Sequence, residues 1–332
     1  MKTKYIAILA SLAACGLGMA QTAYTTPVGY NTQGLLVGFN VAGLTLHNPS
    51  VAVGDIESVS GTSLTDSGLA ITPMAGRLYI IEIISSATPA LVGVISEVPA
   101  ANISGSTIIT TDNLGILGLA AGDKYKLRLV PTLENIFTTT SLASGGVLGA
   151  GLNSTAADVV WVPTNTGSYT QYFLHSSGQF RLANTTTPTP NIPVVYSDAV
   201  LVQKKGVASA SLTVSGEVKT VGTNSFAVTG FNPLSVVAPV GLNLWNVGLE
   251  DDLGQGLNPT AADLVWVQQT NLSYKQYFRH SSGNWRDVAA PLVNLTQPQA
   301  EAVDLRTGVL IQRKGAAAIN IDLKVPNFYS GL

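Results

Sequence analysis

The sequence predicts an all-β protein of tandem antiparallel β-sandwich or open-barrel modules, the last two related by internal duplication. Three observations predict it. Only 11% of the 332 residues are charged, against roughly a quarter in an ordinary soluble domain, while Val, Thr, Ser and Gly are plentiful. Short apolar runs alternate with polar residues at a period of two and are parted by Gly, Pro, Asn or Asp, the pattern of half-buried strands joined by turns. One stretch also occurs twice: Asn153 to Arg181 and Asn258 to Arg286 are identical at 18 of 29 positions at a constant offset of 105. The likeness extends upstream through Gly149-x-Gly151-Leu152 and Gly254-x-Gly256-Leu257. Downstream, at offset 109, Val202 to Gly206 matches Ile311 to Gly315, so the repeated unit is about a hundred residues long.

The N-terminus reads as an export signal. Lys2 and Lys4 precede an apolar run from Tyr5 to Gly16, and Gly18-Met19-Ala20 is a small-x-small cleavage site before Gln21. Removal of residues 1–20 shifts the formal charge from −2 to −4 and takes away Cys15, the one cysteine. Leu12-Ala13-Ala14-Cys15 also fits a lipoprotein box, in which Cys15 is the lipidated first residue. Either route places the protein outside the cytoplasm: extracellular, on the cell surface or in the periplasm. No other stretch has 18 uninterrupted apolar residues. The charge balance, without a clustered basic face, excludes nucleic acid as a partner.

Between residues 21 and 135 the expected N-terminal β domain holds six strand-like runs: Leu35 to Val41, Gly54 to Ser60, Arg77 to Ser85, Ala90 to Glu97, Ser106 to Thr111 and Lys124 to Val130. The last alternates most cleanly, with Lys124, Lys126 and Arg128 toward water and Tyr125, Leu127 and Leu129 toward a core. Thr132 to Phe137 reads as a short helical connector and Ser141 to Gly151 as a loop. Repeat unit 1 is expected over 136–219 and repeat unit 2 over 220–332. In each, Asp158 or Asp263 opens an interior strand carrying Trp161 or Trp266. A hairpin follows, turning at Ser176-Ser177-Gly178 or Ser281-Ser282-Gly283. Tyr169, Gln171, Phe173 and His175 share one face. Thr170, Tyr172 and Leu174 share the other, which copy two occupies with Lys275, Tyr277 and Arg279 and which is therefore expected to be wet. Ala199 to Lys204 and Ser209 to Lys219 close the unit, as do Gly308 to Arg313 and Ala318 to Val325. A transmembrane barrel is disfavoured by short, unevenly spaced strands without an aromatic girdle.

Several segments together resemble a family of uncharacterised secreted proteins abundant in Verrucomicrobia. They are Tyr24 to Tyr30 (Tyr-Thr-Thr-Pro-Val-Gly-Tyr) after the signal, the Gly118 to Asp123 turn, Thr132-Leu133, and Trp285-Arg286 ahead of Ile311 to Lys314. This chain differs in carrying the C-terminal unit twice and in having Phe180 where the first copy would have Trp. The resemblance implies no activity, substrate or catalytic residue.

The candidate chemical residues mostly have structural readings. His175 and His280 stand alone at hairpin ends, without a second ligand at metal spacing. Asp158 and Asp263 suit side chains that satisfy turn amides. Glu250-Asp251-Asp252 could bind calcium, but the cluster fits no calcium loop and is absent from copy one, so a solvated loop is expected. The Gly-x-Gly-Leu-Asn loops lack the context of a phosphate cradle. Tyr172, Tyr277 and Trp245 are candidates for a sugar-stacking platform, whereas Trp161, Trp266, Phe173 and Phe278 are expected in the core. No catalytic constellation and no cofactor are implied. The expectation is a non-enzymatic envelope or extracellular structural protein that associates with itself or with envelope components. A glycan-binding module is the alternative, a secreted hydrolase ranks last, and membrane contact would come only through lipid on Cys15. N-terminal sequencing of the exported protein is expected to start at Gln21. A Cys15→Ser variant that leaves the membrane fraction would instead establish lipidation.

Overall fold

Alternating apolar and polar residues give strands throughout, and the computed structural model is 43% strand and 8% helix. It describes residues 27–137, 146–206, 208–305 and 308–331, so Cys15, the signal segment and residues 24–26 lie outside it. Among the described residues there are six antiparallel sheets, none closed into a barrel, and no helix long and apolar enough to cross a membrane.

The chain opens with β1 (Val28–Leu35) and β2 (Gly38–Gly43). Gly38, at φ 115°, lets the chain turn between them. The Asn40 side chain fixes that turn, accepting the Leu36 amide at 2.9 Å and donating to the carbonyls of Leu36 and Gly38. Neither strand pairs with its sequence neighbours. β1 lies along Ala210–Glu217 for its whole length, and β2 along Ala199–Lys204.

The next eight strands form a separate pair of sheets. They are β3 (Ser50–Asp55), β4 (Ser58–Ser60), β5 (Ser63–Thr65), β6 (Leu78–Ser85), β7 (Ile95–Pro99), β8 (Ile103–Ser104), β9 (Thr107–Ile109) and β10 (Lys124–Leu129). The sheets run β3-β10-β6-β7 and β4-β5-β9-β8. Tyr79, Ile81, Ile83, Tyr125 and Leu127 of the first pack with Leu64, Ile103 and Ile108 of the second in one core. Lys124 is exposed as its alternation predicts, but Arg128 is buried. Its end of the sheet is covered by the rest of the protein, and its charge is paired there. The connector α1 (Leu133–Ile136) follows, with Thr132 and Asn135 closing a capping box.

Strands β11 (Val159–Pro163), β12 (Tyr169–Leu174), β13 (Phe180–Leu182), β14 (Ala199–Lys204) and β15 (Ala210–Glu217) come next. The five-stranded sheet is β13-β12-β11-β14-β2, and β15 pairs with β1. The remainder is β16 (Thr223–Ala227), β17 (Gly230–Ser235), α2 (Leu249–Asp252), β18 (Leu264–Gln268), β19 (Tyr274–Arg279), β20 (Trp285–Asp287), α3 (Gln297–Glu301), β21 (Gly308–Arg313) and β22 (Ile319–Leu323). Its sheets are β17-β21-β18-β19-β20 and β16-β22. The order matches strand for strand, with β17 where β2 stands and β16 where β1 stands. Gly230 has φ 102°, and Asn232 repeats the bonds of Asn40, accepting the Val228 amide and donating to Val228 and Gly230.

Strand pairing therefore crosses the boundary expected near residue 135. A unit confined to 136–219 would lack the edge strand of its own sheet, which β2 supplies, and the partner of β15, which is β1; residues 50–130 lie between these two strands and the rest. One face of each five-stranded sheet is roofed. Val160, Leu174, Phe180 and Val202 pack with Leu35, Leu133, Phe137 and Leu212 in the first half. Val265, Tyr277, Trp285 and Ile311 pack with Ala227, Leu249 and Ile321 in the second.

The halves meet along the free edges of β2 and β17. Gln268 donates to the Phe39 carbonyl at 2.8 Å and accepts the Val41 amide at 2.9 Å, standing in for a missing strand. Tyr169 reciprocates by donating to the Phe231 carbonyl at 2.7 Å. Pro163 and Pro233 occupy the positions that correspond to Gln268 and Val41, so the second edge has no amide to satisfy at that point. Replacing Asn40 or Asn232 by Ala should cost about 1–3 kcal/mol each, since buried backbone groups lose their partners. Urea unfolding of the two variants measures this.

Candidate functional site

Asp158 and Asp263 satisfy loop amides, as their sequence context suggests, and each also carries a buried cation. Asp158 accepts the Gly149 amide at 2.7 Å, the Lys205 amide at 2.7 Å and the Lys204 ammonium at 2.9 Å. Lys204 also donates to the Val147 carbonyl. Asp263 accepts the amides of Gly254 and Lys314 and pairs with Arg313. Burial pushes the Asp158 carboxyl up, but the two amides and Lys204 outweigh it and hold the group below its usual range. Each carboxylate ties the loop before its strand to the end of the neighbouring strand. Neither faces an open cleft as a nucleophile would.

His175 and His280 are turn residues. The ring Nδ1 of His175 accepts the Ser177 amide at 3.0 Å, and that of His280 accepts the Ser282 amide at 3.1 Å. Gly178 and Gly283 complete the turns at φ 84° and 81°. Glu250, Asp251 and Asp252 form the one-turn α2 rather than a loop. Asp252 accepts the Asp322 amide at 2.7 Å, while Asp251 and Glu250 pair with Lys324, so the cluster anchors β22. Among the described residues no group of three acidic, His or Cys side chains is placed to hold a metal ion.

The aromatic platform expected at Tyr172 and Tyr277 is on the wrong face. Tyr277 is only 5% exposed and belongs to the core, and Tyr172 packs against the core of the first half. The charged neighbours that suggested a wet face reach out of it. Lys275 is exposed at the strand end, and the Arg279 guanidinium lies 5.8 Å from the centroid of the buried Trp285 ring. Trp245 is exposed but is not brought together with these tyrosines, and its amide is bonded to the Asn243 side chain. Phe173 and Phe278 are buried as expected. Trp161 and Trp266 are not: they stand half-buried on the same faces as Phe173 and Phe278. Those faces are unroofed except where Ala157, Val159 and Phe173, or Ala262, Leu264 and Phe278, form a small buried cluster. Trp161 stands between Phe39 and Tyr169, and Trp266 between Phe231 and Tyr274. Phe39 and Phe231 gave one local signal, the Gly-Phe-Asn triplet at 38–40 and 230–232.

Two further features have no sequence signature. Glu82, Arg128, Glu217 and Lys219 form a buried ionic cluster: Arg128 reaches Glu217 at 2.5 Å and Glu82 at 3.4 Å, and Lys219 pairs with Glu82. His47 lies beside it, 4.1 Å from Tyr196 between ring centroids. Burial first, then Lys219 and Arg128, hold its pKa well below the ordinary value. The cluster joins β6 and β10 to the end of β15. Separately, a cleft of about 590 Å³ lies between β1–β2 and the loops of the second half, lined by amides including Asn31, Gln33, Asn243 and Gln269. A neighbouring cleft of about 400 Å³ has Tyr277, Lys275, Asp287 and Gln299 in its walls.

Comparison with protein-family models, curated proteins and solved structures finds no match to this chain.

Replacing Lys204 by Met leaves Asp158 buried without its cation and should cost about 3–5 kcal/mol at neutral pH. The Asp158 carboxyl is depressed on folding, so its contribution is full above the ordinary carboxylate pKa and fades as pH falls through the folded value. Denaturant titrations of the two proteins should therefore converge toward acid pH.

Proposed function

We propose that this is an exported, non-enzymatic structural or assembly protein of the cell envelope or extracellular space. Its contact element is the edge strand β3. β3 ends its sheet, pairing only with β10 among the described residues, and it displays Val51 and Val53 at 45% and 59% exposure. The charges beside them are the surface bridge between Asp55 and Lys124, at 3.0 Å, and the half-buried Lys126 opposite Val53. An exposed apolar edge with free backbone groups is a template for pairing with a second chain. By contrast, the opposite edge, β7, is covered: its Ile95 amide is bonded to Asn224 of the second half. Low surface charge weakens the repulsion that keeps copies apart. The charged side chains buried inside are bonded to one another and to loop amides, a use of charge that fixes shape. The N-terminal stretch that reads as an export signal, and the order of motifs that resembles secreted verrucomicrobial proteins, support the location.

Sedimentation of the mature protein over rising concentration should show reversible association. Val53→Lys should abolish it while leaving the thermal unfolding transition in place. A protein that stays monomeric throughout and binds no envelope fraction would overturn the proposal.

A further inference from the structure

We infer that the unroofed faces of the two five-stranded sheets are binding sites for neutral polysaccharide. On the first, Trp161 stands 6.0 Å from Phe39 and 6.2 Å from Tyr169 between ring centroids, with planes inclined by 64° and 71°. On the second, Trp266 stands 5.7 Å from Phe231 and 6.1 Å from Tyr274, inclined by 73° and 66°. Phe39 and Phe231 are 44% and 39% exposed, and the other four rings are half-buried. The edge-to-face contacts hold each row in place before any ligand arrives, which lowers the ordering cost of binding.

Primary amides border each row. Gln171 lies opposite Trp161 and Gln276 opposite Trp266, while Gln203 and Gln312 lie opposite Phe39 and Phe231. All four are half-buried, and the two-residue period puts them on the same face as the rings. Gln312 accepts the Trp266 indole N–H at 3.3 Å, fixing that ring. A pyranose offers apolar C–H faces to rings and a rim of hydroxyls that both donate and accept, which suits amides. An apolar protein surface would strip water from those amides and leave them unmatched. The charged group on each face, Arg181 or Arg286, sits on the outermost strand opposite Phe173 or Phe278, two strands away from Trp161 or Trp266. Arg286 is bonded to Asn294 and to the Pro291 carbonyl. The rows themselves carry no charge to complement an anionic glycan or a charged peptide. The Tyr169 hydroxyl bonded to the Phe231 carbonyl joins the first row to the edge strand of the second sheet. Two sites on one body gain avidity for a polymer that one site alone would not have.

The test is depletion binding of the full-length exported protein to microcrystalline cellulose, chitin and insoluble mannan, with alginate as the anionic comparator. Saturable binding to at least one neutral polymer is expected, unchanged by added salt. Phe39→Ala with Phe231→Ala removes exposed rings, so circular dichroism and the melting transition should match the wild type while affinity falls about tenfold or more. Trp161→Ala with Trp266→Ala should abolish binding, and Val53→Lys should leave it intact, which separates this site from the β3 edge. The inference is overturned if none of the neutral polymers binds saturably, if the phenylalanine pair binds as the wild type does, or if only alginate binds and salt releases it. Loss of self-association in the phenylalanine pair, without polysaccharide binding by the wild type, would assign the faces to a second copy of the chain.

Discussion

The pairing of β2 with β14 is the constraint on which the rest of the molecule depends. It brings Asn40 within 3.2 Å of the Val202 carbonyl across 162 residues of chain, and with β1 it completes the first half. The two-sheet module with its own core, which lies between β2 and β11 in the chain, must be accommodated as an excursion from that sheet. Closing so long a loop costs entropy that grows only slowly with length, so the excursion is tolerable once the strand pairing and the core beneath it are formed. The pairing also leaves β2 as the outer strand of its sheet, which sets where the second half can dock.

Buried charge holds the joints. Asp158 with Lys204, and Asp263 with Arg313, tie a loop to a strand end at the same place in each half. Glu82, Arg128, Glu217 and Lys219 tie the excursion back to the first half. Taking such groups out of water is expensive, and apolar side chains could fill the same volume at less cost. What ion pairs add is direction: a carboxylate that must meet two amides and a cation admits one arrangement of three chain segments. The small share of charged residues in the sequence is thus concentrated partly where it fixes geometry.

The junction between the halves shows how free strand edges are managed. At β2 the Gln268 side chain imitates a neighbouring strand. At β17 Pro233 removes the amide and Tyr169 meets a carbonyl. The difference between the halves at Pro163 and Gln268 is therefore coupled to the difference between Val41 and Pro233 on the opposite side. Because the edges meet one another and one face of each sheet is roofed, the face that remains for contact is the one bearing the aromatic rows. β3, at the far edge of the excursion, is left uncovered.

Legible in the sequence were the all-β class, the strands of both duplicated stretches and those at Arg77 to Ser85, Ser106 to Thr111 and Lys124 to Val130, the hairpins at Ser176 and Ser281, the helical connector at Thr132 to Phe137, and the structural role of Asp158 and Asp263. These follow from alternation, turn residues and capping, all of which act within a few residues. The runs Leu35 to Val41 and Gly54 to Ser60 instead each break between two strands, and Ala90 to Glu97 opens in a 3-10 turn. Which side of each sheet carries the main core is set by tertiary packing. A period of two sorts Tyr172 from Gln171 and Tyr277 from Gln276, but it does not say which set will be roofed, and the long stems of Lys275 and Arg279 let charges emerge from the buried side. Nor could local pattern assign Phe39 to the same row as Trp161, because strand partnership is settled by which edge is free and what packs beneath it. The ionic cluster around Arg128 was equally illegible, since alternation places a charged residue on a face and only the packed fold makes that face an interior.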